Sequence, residues 1–140
     1  LAAWIKSDGK SGGAVFSRMD VAQAYRGFDM WVQGRGIGTH IIHQWPGNAI
    51  KVISKDQLVP NQWQHVVISY DGGQKASGVK IYIDGKLSEN NVEADGLKAT
   101  IESKAPFKIG LSDFLRKSLI SFAGPFPVSE NIKEVFPFNT

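Results

Sequence analysis

At 140 residues, with 42% hydrophobic and 21% charged residues, the chain can form one domain with a real core, and its composition excludes wholesale disorder. No run approaches the roughly 18 apolar residues of a membrane helix, and the lack of cysteine excludes disulfides and thiolate metal sites without fixing a compartment. The net charge of +3 permits an acidic partner, yet Lys and Arg are scattered singly apart from Arg116-Lys117, so the concentrated stripe that nucleic-acid binding calls for is missing.

The chain opens without Met on a strand-like run over residues 1–6, with Trp4 placed to anchor a core, and reads as a domain taken from a longer polypeptide. Residues 7–13, Ser-Asp-Gly-Lys-Ser-Gly-Gly, form a turn by composition. A short strand follows over 14–18, then a polar loop over 19–26 with room for one helical turn. Residues 27–33 alternate with period two. Phe28, Met30 and Val32 fall on one face, and Asp29, Trp31 and Gln33 on the other. Gly34-Arg35-Gly36 turns the chain into a run over 37–45, where adjacent Ile41 and Ile42 predict burial on both faces or a bulge. After the turn Trp45-Pro46-Gly47-Asn48, residues 49–53 return as its partner.

The centre of the chain is residues 61–87. Two runs rich in Val, Ile, Tyr and Trp, 63–70 and 79–83, flank a polar loop, and the second closes on Asp84-Gly85, a dipeptide suited to a tight turn into another strand. Residues 88–98 read as a polar connection, 99–103 as a weak strand and 106–110 as a short one. Beyond Leu111 the alternation fails, and Pro125 and Pro127 exclude a central strand there. Nine or ten short strands with no long helix predict an all-β, two-sheet antiparallel sandwich.

Trp63-Gln-His-Val-Val-Ile-Ser-Tyr-Asp-Gly72, followed by Val79-Lys-Ile-Tyr-Ile-Asp-Gly-Lys86 and Phe107-Lys-Ile-Gly110, resembles the laminin-G-like domains of the concanavalin A-like lectin/glucanase superfamily. The middle, from Phe16 through Tyr25-Arg-Gly-Phe-Asp-Met-Trp-Val-Gln33 to His43-Gln-Trp-Pro-Gly-Asn48, is similar to a subtype appended to large exported bacterial proteins of the planctomycete kind, often beside cytochrome c-like modules. The resemblance implies a jelly-roll over 1–110 used extracellularly or in the periplasm as a binding or adhesion module, commonly for carbohydrate and sometimes with Ca²⁺. It leaves 111–140 as a divergent C-terminal segment of the same domain. Family members usually finish on a strand of the form I-D-E-V-R-I-Y, which residues 118–140 do not match.

Several motifs have plainer readings. Gly9-Lys-Ser-Gly-Gly13 matches G-x-S-x-G, but a turn before a strand lacks the strand–turn–helix setting of a nucleophile elbow, so Ser11 is read as a turn residue. A retaining glucanase would need two carboxylates about 5–5.5 Å apart. The nearest approach, Glu93-Ala-Asp95-Gly-Leu97, lacks a second glutamate and reads as a solvated loop. His40 and His43 fall on opposite faces of a strand, and His65 reads as a hydrogen-bonded buried histidine on the same face as Trp63, so no zinc site is expected. Asp71 and Asp84 are weak Ca²⁺ candidates beside glycines, where turn chemistry explains them first.

The residues best suited to a ligand are aromatics beside polar groups, because sugars lay C–H faces on rings and offer hydroxyls to amides, carboxylates and guanidinium groups. Asp29, Trp31 and Gln33 share a face, Arg35 follows in the turn, and His43 and Trp45 lie on the next strand. The expected function is therefore a non-catalytic carbohydrate- or glycoconjugate-binding module with no required cofactor. The alternatives are a structural or protein-interaction domain packing on neighbouring modules and, more weakly, a degenerate glycoside hydrolase.

Overall fold

A computed structural model describes residues 1–110 and the backbone of residues 132–136. Its described strands are β1 (Ala2–Ser7), β2 (Gly12–Asp20), β3 (Arg26–Gln33), β4 (Gly36–Gln44), β5 (Asn48–Ser54), β6 (Trp63–Tyr70), β7 (Val79–Ile83), β8 (Lys86–Ser88), β9 (Asn90–Asp95), β10 (Lys108–Ile109) and β11 (Ile132–Phe136). They form two antiparallel sheets, one ordered β11-β1-β6-β7-β8 and the other β10-β2-β3-β4-β5-β9. The only helical pieces among the described residues are single 3₁₀ turns at Val21–Gln23 and Ala76–Gly78. No described helix is long and apolar enough to cross a membrane.

Period-two alternation builds the core between the sheets. Ala3 and Ile5 of β1, Val66 and Ile68 of β6 and Ile81 and Ile83 of β7 face Phe16, Met30, Val32, Ile37, Ile41, Ile50 and Val52 of the six-stranded sheet. The central pair has the limits its sequence runs imply, and Asp84 and Gly85, at φ +51 and +79, make the tight turn from β7 into β8.

Three expectations need correction. Trp4 does not anchor the core. With Ala3, Ile5 and Ser7 inward, it falls on the outer side of β1, is 40% exposed and lies against the His65 ring at 5.3 Å. Residues 88–98 are more than a connection, because β9 pairs with β5 along its length. As an edge strand it is specified by backbone pairing, and needs no apolar alternation to signal it. Conversely, residues 99–103 form no strand. Their carbonyls are met by side chains instead, with Thr100 O against His43 Nδ1 and Ser103 O accepting from Arg18. The end of the chain left two alternatives open, a divergent closing strand or a missing one, and a closing strand is present. Ile132-Lys-Glu-Val-Phe136 pairs with β1, and forms the edge of its sheet among the described strands. The apolar residues noted between Phe114 and Phe122, and the prolines at 125, 127 and 137, lie outside the described residues.

The β3–β4 hairpin sets the register of the larger sheet. A two-residue turn at Gly34-Arg35, with Gly34 at φ +59, pairs Gln33 with Gly36. Trp31 must then stand opposite Gly38, where its indole lies so close that a Cβ would sit 2.5 Å from the ring. Overpacking of this kind costs about 1–3 kcal/mol, so Gly38→Ala should lower the urea midpoint accordingly. A Trp31→Phe background should reduce that cost. Equal costs in both backgrounds would show that the ring is not the obstacle.

Candidate functional site

The six residues expected to make one ligand patch separate into three places. Asp29 and Trp31 do share the outer face of the six-stranded sheet, but they are only 1% and 5% exposed. The Asp29 carboxylate accepts from the His40 backbone N–H at 2.7 Å and faces His40 Nδ1 at 3.0 Å. The imidazole stacks on the Trp31 indole at 5.4 Å and meets Trp45 edge-on at 5.5 Å. Lys51 Nζ, paired with Glu93 at 2.6 Å, lies 5.6 Å from the centre of the Trp31 ring. Trp45 also packs with Tyr25 against a second small cluster of Met19, Ile42 and Ala49. These rings and charges cover one another, so the face is structural. Trp31 Nε1 is buried there without an acceptor among the described residues.

Gln33 and Arg35 are exposed at the hairpin tip, where Arg35 Nε donates to Leu58 O at 2.8 Å. His43 goes elsewhere. A register shift between Ile42 and Gln44 separates its surroundings from those of Trp45, and its Nδ1 lies 2.6 Å from Thr100 O while its Nε2 lies 3.4 Å from Arg26 Nη2. A carbonyl can only accept, so Nδ1 carries the proton and Nε2 of the neutral ring accepts from Arg26.

The other motifs are also built into the scaffold. Asp71 Oδ1 accepts from Gly73 N–H at 2.8 Å, whereas Asp84 accepts from His65 N–H and the Gln64 amide at 2.8 and 2.9 Å. Among the described residues no three His, Cys, Asp or Glu side chains come together as a metal site. The Glu93–Asp95 stretch lies on β9 rather than in a solvated loop, and Glu93 is an extra residue in the β5–β9 ladder. Glu93 takes Lys51, while Asp95, opposite Ile50, accepts from Ala76 N–H at 2.7 Å. Ser11 donates its hydroxyl to Asp8 at 2.9 Å, consistent with a turn residue.

A hollow of about 660 Å³ lies at the β3-start end of the six-stranded sheet, lined by residues that include Arg18, Gln23, Arg26, Phe28, Glu102 and Lys104. Register explains it. On the inner face, Phe16 stands against Met30 within the core, the next inward pair is Arg18 with Phe28, and the next is Asp20 with Arg26. The sheet thus runs past the core, and its inward residues change from apolar to charged as it does so, with Arg18, Asp20 and Arg26 following Phe16 and Met30. Residues 101–104 complete the wall, held by Arg18, whose Nε and Nη2 donate to Ala105 O and Ser103 O at 3.1 and 2.9 Å. Arg26 Nη1 donates to Gln23 Oε1 at 2.8 Å and Nε to His43 O at 3.3 Å. The sequence reading missed Arg18, Gln23 and Arg26. Counting the alternation of 16-18-20 and 26-28-30 beyond the last core residue would have found the two arginines.

A profile of the concanavalin A-like lectin/glucanases superfamily, of laminin G type, matches residues 1–124. The chain belongs to that superfamily. No curated protein and no solved structure matched it. For this member of the superfamily, the sandwich is shared architecture, and the hollow is the part of it with open, convergent polar groups.

Two tests separate scaffold from site. Leaving a buried donor unsatisfied costs about 1–3 kcal/mol, so Asp29→Ala, which takes the acceptor from the His40 backbone N–H, should destabilise on that scale in urea, and Asp29→Asn, which keeps an acceptor for that amide, by less. In the turn at Asp8, the Ser11 N–H above all, with the Lys10 N–H and the Ser11 hydroxyl, holds the carboxyl below its ordinary 3.8. A depressed folded-state value means that this contribution is present above the unfolded-state pKa and is lost as pH falls through the folded one. Ser11→Ala should therefore move the Asp8 titration, followed by carboxyl NMR, upward toward the ordinary value. An unmoved midpoint would remove the hydroxyl from the turn's electrostatics.

Proposed function

We infer that the chain is a non-catalytic binding module for carbohydrate or glycoconjugate, working within a larger exported protein, with its site in the hollow beside Arg26. Membership of the superfamily supports the ligand class. The observation that carries the reading is the hollow's composition. The Phe28 ring, the Gln23 amide, two guanidinium groups and the Glu102 carboxylate face one space, within the 300–1,000 Å³ range of roughly drug-sized ligand sites. That combination offers an apolar surface for sugar C–H groups and both donors and acceptors for hydroxyls. The non-catalytic reading is supported by Glu93 and Asp95, each engaged with a different partner on an edge strand rather than facing each other across a cleft.

A second reading, a domain that packs on neighbouring modules, draws on the outer face of the five-stranded sheet, where Trp4 and Trp63 are 40% and 37% exposed.

A glycan array probed at high protein concentration discriminates them. Binding of at least one glycan, weakened roughly tenfold or more by Arg26→Gln through loss of a charged hydrogen bond, supports the module. Failure of the folded protein to bind any glycan overturns it. Trp31→Ala, which sequence alone would choose as the control, instead tests folding.

A further inference from the structure

We propose that the hollow takes an acidic saccharide, with a carboxylate or sulfate group held between Arg18 and Arg26 and the sugar ring against Phe28. This rests on the glycan-binding reading above and specifies its ligand class. The first support is charge left without compensation. Among the described residues the carboxylates that meet a basic side chain are Asp29 with His40, Glu93 with Lys51 and Glu89 with Lys55, so Arg18, Arg26 and Lys104 have no carboxylate partner there. Against these three cations the hollow presents one anion, Glu102, a local excess of +2 (3 − 1).

The second support is that both guanidinium groups are positioned by neutral acceptors. Arg18 is tied to two backbone carbonyls, leaving Nη1 without an acceptor among the described residues. Arg26 is tied to a backbone carbonyl, an amide and a neutral imidazole nitrogen. Such contacts fix the forks without neutralising them, the condition in which a guanidinium group best receives an oxyanion. The carboxylate that register places opposite Arg26 is Asp20, and it is engaged elsewhere. Its oxygens accept from Ala22 N–H at 3.0 Å and Gln23 Nε2 at 3.1 Å, so Gln23 stands between it and Arg26.

The third support is the backbone that delivers these groups. Ala24 and Tyr25, immediately before Arg26, are consecutive non-glycine residues at φ +52 and +65. Left-handed geometry costs an L residue roughly 1–2 kcal/mol, and it persists where surrounding structure enforces it, often at binding sites. Here Trp45 N–H donates to Ala24 O at 3.0 Å, and Asp20 caps the 3₁₀ turn before it.

The test is titration calorimetry of the intact chain with uronate oligomers, sulfated oligosaccharides and neutral oligosaccharides of matched length, at low and high salt. Acidic oligomers should bind, with affinity falling as salt rises. Arg18→Gln and Arg26→Gln should each weaken them roughly tenfold or more. Lys104→Gln, whose side chain forms no hydrogen bond or ion pair within the described chain, should weaken them without affecting thermal unfolding. Glu102→Gln should tighten them, a gain that a purely structural role would not produce. Preference between the uronate and sulfated arms identifies the anionic group. Neutral oligomers bound as tightly and without salt dependence would overturn the acidic specificity while leaving glycan binding in place, and no binding in any arm would overturn both.

Discussion

The Asp29 carboxylate, buried beneath the outer face of the larger sheet, is the contact on which that face depends. It holds His40 by both backbone N–H and ring, and His40 in turn supports Trp31 on one side and Trp45 on the other. Taking a carboxyl group out of water is costly unless its hydrogen-bonding capacity is met within the fold. Asp29 meets this requirement only in the register where the two-residue turn at Gly34-Arg35 sets it opposite His40, which also puts Trp31 over Gly38. Electrostatics and packing therefore select the same pairing, and a one-residue slip would break both.

This dependence explains why the face looked like a ligand surface in sequence. An aromatic, a carboxylate and an amide alternating on one side of a strand are equally suited to hold a sugar or to satisfy one another. Alternation establishes the side to which Asp29 and Trp31 point. It carries no information on what lies above them, which here includes His40 from β4 and Lys51 from β5. The histidine was recoverable in principle, since a two-residue loop after Gln33 pairs residues whose numbers sum to 69, and 29 with 40 is one such pair. The fold itself was more legible. Residues 63–70 and 79–83 carry β-branched and aromatic alternation with clear turn signals, and both strands have those limits. Strand β9 was not legible because its identity rests on backbone pairing at an edge, with side chains largely left in solvent.

The closing strand makes a similar point about templates. Ile132-Lys-Glu-Val-Phe136 keeps the Ile, Glu and Val of the family's usual terminal pattern I-D-E-V-R-I-Y, and departs from it at its second and fifth positions, where Lys133 and Phe136 replace charged residues. Backbone hydrogen bonding to β1 tolerates that divergence, because the ladder is made by groups every non-proline residue carries.

Polar groups can thus be sorted by what answers them. On the outer face of the larger sheet, carboxylates meet side chains that answer them: Asp29 faces the His40 ring, and Glu93 pairs with Lys51. These side chains complete one another, and a ligand would have to displace an existing partner to gain a contact. At the end of the same sheet, two guanidinium groups meet, among the described residues, only carbonyls, an amide and an imidazole nitrogen. Their orientation is set while their charge remains available. Both regions draw on β3, and differ in whether its outward residues or, past the core, its inward residues are followed. A shared fold can accordingly keep its scaffold chemistry on one face and vary its ligand at the rim, where inward positions no longer have a core to fill.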